Sequence, residues 1–303
     1  MQENENNNIM QDAEQRYVPK QYRDNKNPAL EALVCFLIMI AFLAIQMIVM
    51  IPFIIAKIRE QGADLDPGLS DMERTAEILE SLDTTQVSFV ATLVSLIVAV
   101  IWYRKVYCRG YRLADLKATC RKCIKPDILA GLFFAAVALY YITFFVVAII
   151  DFVSPASMEK YNELMEDAGM NNVSAKVIIL TVVLAPINEE CIMRGIILTR
   201  LKKSMAPVLA ILISAIYFGI FHLNVVQGIY AGVMGLFMAY VAYKYGSIIP
   251  SIIFHAMFNG LNFLLTSLPA WVQENAVLLF VVPVVSGIAW YFLEGRKKLL
   301  EKG

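Results

Sequence analysis

The chain carries about eight stretches apolar enough to cross a bilayer core, which takes about 20 residues as helix, with some short spans among them. They run near 32–56, 86–103, 128–151, 176–199, 206–223, 227–244, 247–267 and 275–293. In hydrocarbon there is no water to bond exposed peptide groups, so each segment must satisfy its own backbone, and helix is the solution open to it. The expected fold class is therefore all-α, a polytopic, multi-pass integral membrane protein. Composition agrees: 59% of residues are hydrophobic and 17% charged, against about 45–50% and about 25% in soluble domains. A formal net charge of zero offers no footprint for a nucleic-acid partner.

Lys and Arg orient the spans, because loops rich in them stay cytoplasmic. Residues 104–125 carry Arg104, Lys105, Arg109, Arg112, Lys117, Arg121, Lys122 and Lys125. Arg200, Lys202 and Lys203 follow the fourth span, and Arg296, Lys297, Lys298 and Lys302 the last. With eight spans all of these fall on one side, which places both termini in the cytoplasm. Residues 1–28 are polar and Asn-rich without the apolar core of a signal peptide, so a disordered cytoplasmic tail is expected there. Residues 29–303 then form a single transmembrane domain, in the plasma membrane if the chain is bacterial. In the outer loops Ser70-Asp71-Met72-Glu73 has the capping-box pattern, and Ser154-Pro155 reads as a helix start with Gly169 as its stop. Of the five cysteines, Cys35 and Cys191 lie in apolar segments, while Cys108, Cys120 and Cys123 fall in the basic loop, where a reducing compartment argues for free thiols. Cys120 and Cys123 form a lone CxxC with no histidine nearby to complete a zinc site.

The ionisable residues inside the apolar spans are the functional candidates, since a charge at the bilayer centre costs about 2.5–3.5 kcal/mol on insertion scales. The fourth span contains Glu189, Glu190 and Arg194. Glu190 and Arg194 are four apart and share a helix face, where pairing offsets the burial of both charges. Glu189 is turned about 100° away and is free to face something else. Pro186, just before them, removes a helix hydrogen bond and could kink the span, which membrane helices tolerate. The only two histidines of the chain are His222, one turn after Phe218, and His255, one turn before Asn259. A neutral His222 can serve as a general base or as a buried, hydrogen-bonded imidazole. His255 and Asn259 put two donors on one face, suited to an oxyanion or to interhelical packing.

The three patterns EExxxR (Glu189, Glu190, Arg194), FxxxH (Phe218, His222) and HxxxN (His255, Asn259) occur in the order and spacing of a known family. In them the chain resembles the CPBP family, the CAAX protease and bacteriocin-processing or Abi family that includes the type II CAAX prenyl endopeptidase. Ala185-Pro186 before the glutamates, Gly195 after the arginine and Ser214-Ala215 before the first histidine fit as well. The resemblance covers about residues 125–268. It implies an intramembrane protease of eight helices acting on peptide or membrane-protein substrates, prenylated ones or peptide precursors among them. It further implies that Glu189 and His222 activate water, that His255 and Asn259 hold the oxyanion, and that Glu190, Arg194 and Phe218 support them. Members are also labelled metalloproteases, and zinc held by Glu189, His222 and His255 is the alternative. No HExxH is present, and the metal-free, cofactor-free glutamate mechanism is the expectation. Two other classes remain on the residues alone. One is a non-proteolytic bacteriocin-immunity or membrane scaffold protein. The other is a proton-coupled transporter, for which inverted repeats are expected and are not evident in the sequence.

Overall fold

The computed structural model describes residues 27–61, 70, 73, 77–78, 81–109, 113–167, 174–266, 275, 281–282 and 284–293. Almost all of the expected tail and the expected stop at Gly169 lie outside them. The described secondary structure is helical throughout, with no strand among the described residues. Four helices are long and apolar enough to cross a membrane, and Pro207–Phe221, Ile249–Leu265 and Val284–Leu293 are shorter apolar helices. The all-α membrane architecture expected from the sequence is thus present.

Helix α1 spans Pro28–Gln61 and is started by Asn27, whose side-chain oxygen accepts from the Ala29 amide at 2.9 Å. Its Cys35, Met39 and Phe42 are fully buried at helical spacing, while Leu33, Leu37, Met47, Ile48 and Ile51 stay exposed. In water such a face would be a liability; in a bilayer it is the lipid-facing surface. Helix α2, Thr84–Val106, is capped by Asp83, which accepts from the Gln86 amide at 2.8 Å. It buries Val87, Ala91, Ser95 and Ala99. Three small residues in that stripe let the backbone of α2 come close to its neighbour, the packing mode favoured where lipid removes the hydrophobic drive between helices.

Residues 104–125, expected to be a basic loop, contain helix α3 at Leu113–Cys123. Lys117, Arg121 and Lys122 are exposed on it and Cys123 is buried. The charge density of the segment concealed an amphipathic turn pattern too short to register as a span. All five cysteines are free, and burial pushes the Cys123 thiol above its ordinary range. Helix α4, Pro126–Val153, starts with a proline at its first position, where the missing N–H is not needed. The outer helix expected after Ser154 is α5, Pro155–Asp167. The Ser70 and Glu73 capping box is also formed: the Glu73 carboxylate accepts from the Ser70 amide at 2.8 Å, and the Glu73 amide donates to the Ser70 hydroxyl at 3.3 Å.

The fourth span is the least regular and the most enclosed. It runs as α6 (Ala175–Ile178), a π-helical stretch (Ile179–Leu184), α7 (Ala185–Glu190), a second π-helical stretch (Cys191–Leu198) and α8 (Thr199–Leu201). Every residue of the second stretch is buried, so this composite helix is the centre of the bundle. π-Helical segments are rare and concentrate at functional sites. Here one lies on each side of the turn that carries Glu189 and Glu190.

Helices α9 (Pro207–Phe221) and α10 (Val225–Tyr245) form a tight hairpin joined by residues 222–224. A Cβ on Gly219 would lie 2.5 Å from the Gly228 carbonyl oxygen, and one on Gly235 would lie 3.1 Å from the Ala215 Cα. The two helices therefore touch through their backbones. Gly246 ends α10 with φ of 59°, the left-handed conformation that glycine adopts without strain. Helix α11, Ile249–Thr266, follows at once.

Candidate active site

Glu190 and Arg194 form the ion pair that their spacing predicts. Arg194 Nη1 donates to Glu190 Oε1 at 2.7 Å, with both side chains fully buried. Two desolvated charges need more than each other, and Arg194 has more. Its Nη2 donates to the Gly235 carbonyl of α10 at 3.0 Å. Its guanidinium lies 4.5 Å over the Phe218 ring, where the electron-rich face attracts a cation. Glu190 Oε1 also accepts from His255 Nδ1 at 3.3 Å. Arg194 and Glu190 thereby tie the composite helix to α9, α10 and α11.

Glu189 points elsewhere, as the 100° turn within α7 requires. Its carboxylate is mostly buried, at 16% exposure, and its Oε2 lies 3.8 Å from His255 Nε2. That oxygen is buried without a hydrogen-bond partner. At 3.8 Å the two atoms are too far apart to bond, yet close enough for one water to reach both at about 2.8–3.0 Å. His255 therefore stands between two carboxylates, one on each ring nitrogen.

His222 is the residue that ends α9. Its Nδ1 lies 2.8 Å from the Phe218 carbonyl. A carbonyl can only accept, so Nδ1 carries the proton in the neutral ring and Nε2 presents its lone pair. The Phe218 ring meets His222 edge-on at 4.9 Å and His255 at 5.8 Å. One buried phenyl thus locates both histidines and the arginine, which gives FxxxH a physical reason. After His222, Leu223 adopts φ of 55°, a left-handed conformation costing about 1–2 kcal/mol in an L-residue. It lets Asn224 cap α10 by accepting from the Gln227 amide at 3.1 Å.

Asn259 sits one turn beyond His255, and its Nδ2 donates to the Thr181 carbonyl at 2.8 Å. The structure thus brings together Glu189, Glu190, Arg194, Phe218, His222 and His255, and sets Asn259 against the first π-helical stretch. Among the described residues no three His, Cys, Asp or Glu side chains converge to hold a metal ion.

Two polar residues that the sequence did not single out support the site. Ser95 of α2 donates to Asn188 Oδ1 at 3.1 Å, both buried, immediately before Glu189. A serine within a span of small residues gives no signal by itself; only the neighbouring Asn188 could have marked it. Gly195 has its Cα face against the ring of Tyr103, where a Cβ would come within 2.9 Å, so its place after Arg194 is set by packing.

Residues 171–261 match the family model described as type II CAAX prenyl endopeptidase Rce1-like. No curated protein and no solved structure matches the chain. The matched segment contains the composite helix, α9, α10 and the part of α11 that bears His255 and Asn259, and over that segment the chain is similar to the type II CAAX prenyl endopeptidases.

Proposed function

We propose that the protein is a metal-independent intramembrane endopeptidase in which Glu189 and His222 activate a water molecule and His255 with Asn259 stabilises the oxyanion. The observation that carries this reading is the buried, unpartnered Glu189 Oε2 standing 3.8 Å from His255 Nε2. A buried carboxylate oxygen without a partner is costly unless a ligand or water completes it. In this mechanism Glu189 accepts a proton from the water, aided by the Nε2 lone pair of His222, and the oxygen attacks the scissile carbonyl. The negative charge that develops is met by the Nε2–H of His255 in its doubly protonated form, with Nδ1–H still donating to Glu190, and by the second N–H of Asn259. The proton held at the base then passes to the departing amine.

The length of α9 is compatible with the same reading. Helix α9 has 15 residues, or about 22 Å at 1.5 Å per residue, which is short of the roughly 30 Å hydrocarbon thickness. With the start of α9 set at the membrane surface, as this reading has it, His222 and the non-helical turn after it end within the membrane. Backbone of that kind is tolerated at depth where it is enclosed in protein or lines a wet cavity. Substrates would be membrane-associated chains, prenylated proteins or peptide precursors.

The test is a comparison of the peptides and membrane proteins of cells carrying the intact chain or Glu189→Gln. Cleavage products present only with intact Glu189, and regenerated by purified protein in liposomes, support the proposal. Identical products from a folded Glu189→Gln protein would overturn it.

A further inference from the structure

The composite helix contains a backbone acceptor that its own hydrogen-bond ladder cannot satisfy. In the first π-helical stretch the Ala185 amide donates to the Leu180 carbonyl, five residues back. In a regular α-helix that amide would have served Thr181. In the π register Thr181 would be served by residue 186, but that residue is Pro186, which has no N–H. Both backbone donors within reach of the Thr181 carbonyl are therefore spent or absent. A carbonyl in hydrocarbon left so is expensive, and the partner that takes it is Asn259 Nδ2 of α11, at 2.8 Å.

We infer that Pro186 is a positioning residue: by removing its own N–H it leaves the Thr181 carbonyl open for Asn259 and so sets His255 against Glu189. The geometry of the two helices carries this. Pro186 is three residues before Glu189 on the composite helix, and Asn259 is four after His255 on α11. The Asn259 to Thr181 bond and the 3.8 Å approach of His255 Nε2 to Glu189 Oε2 thus join the same two helices, about one turn apart on α11 and about two turns apart on the composite helix. Asn259 spends one amide hydrogen on this bond and keeps one for the substrate. Misplacement by about 1 Å at a reacting centre can lower a rate about a hundredfold, so the loss of this tether is read in kcat. The inference rests on the protease reading for its kinetic arm only.

The experiment uses the full chain in liposomes, with ¹³C=¹⁸O placed at Thr181 and its amide I band read by infrared spectroscopy. Asn259→Ala moves the Thr181 band to higher wavenumber, because the carbonyl loses its donor. With Pro186→Ala a backbone N–H becomes available in either register: that of residue 186 if the π stretch persists, that of Ala185 if it relaxes to α. Asn259→Ala then shifts the band no further. In cleavage assays Pro186→Ala lowers kcat about ten- to a hundredfold with KM little changed, and the double variant is no slower than Asn259→Ala alone. A Thr181 band indifferent to Asn259→Ala in the wild-type background overturns the inference, and that arm remains decisive if Pro186→Ala does not fold. Equal and additive effects of the two substitutions overturn it as well. A protein that cleaves nothing refutes the protease reading while the infrared arm still judges the tether.

Discussion

The guanidinium of Arg194 lies 4.5 Å over the ring of Phe218, and that ring also meets His222 at 4.9 Å and His255 at 5.8 Å. A single apolar side chain thus fixes the relative positions of the groups proposed to do chemistry. Phe218→Leu keeps an apolar residue but removes the ring face and edges. Losing such contacts costs about 0.5–2 kcal/mol of local interaction, so the thermal midpoint should fall modestly while kcat falls by about tenfold or more. A Phe218→Leu protein with unchanged kcat would show that the ring does not position the histidines.

The two adjacent glutamates should fail in different ways. Glu189 Oε2 has no hydrogen-bond partner in the resting protein, so Glu189→Gln removes the base without orphaning a charge. Its expected signature is a kcat loss of about 10²–10⁴ with little change in thermal stability. Glu190→Ala leaves Arg194 charged and buried, and destabilisation by about 3–5 kcal/mol is expected. Thermal unfolding in detergent, read beside the cleavage assay, separates the two.

The hairpin of α9 and α10 gives a graded test at its glycines. Gly219→Ala places a Cβ 2.5 Å from the Gly228 carbonyl, whereas Gly232→Ala meets nothing nearer than 3.9 Å. The first should destabilise by about 1–3 kcal/mol through overpacking and displace His222, reducing activity. The second should leave both stability and activity near wild type.

The neutral His222 ring should be the Nδ1–H tautomer, because its partner is the Phe218 carbonyl at 2.8 Å. Solid-state ¹⁵N spectra of histidine-labelled protein distinguish the tautomers directly. An Nε2–H neutral ring would remove the lone pair on which the proposed base chemistry depends.

Metal-independent hydrolysis predicts that exhaustive treatment with strong chelators leaves cleavage intact. Activity that disappears on chelation and returns with zinc would replace the proposed mechanism with a metal-dependent one.

Much of the architecture was legible in the sequence because hydrocarbon permits so few solutions. Runs of apolar residues predicted helices, and the helices α1, α2, α4, α9, α10 and α11 fall within a few residues of them. Helix spacing alone split the glutamates, because α7 keeps regular α geometry across Glu189 and Glu190, and it paired Glu190 with Arg194 although Arg194 lies in the second π-helical stretch. The Ser70 to Glu73 capping box was likewise local and readable. Helix α3 was missed, since short basic segments have the same composition whether looped or helical. Only the tertiary structure decided the rest. That His255 stands between two carboxylates depends on how α11 packs against the composite helix, which no spacing within either element encodes. The π-helical stretches shift the phase of the central helix in a way that hydrophobic periodicity does not record. The role of Asn259 shows the division most clearly. The sequence supplied Pro186 and hence a missing N–H, but which carbonyl went unserved, and which distant side chain came to serve it, followed from the register and packing of the folded bundle.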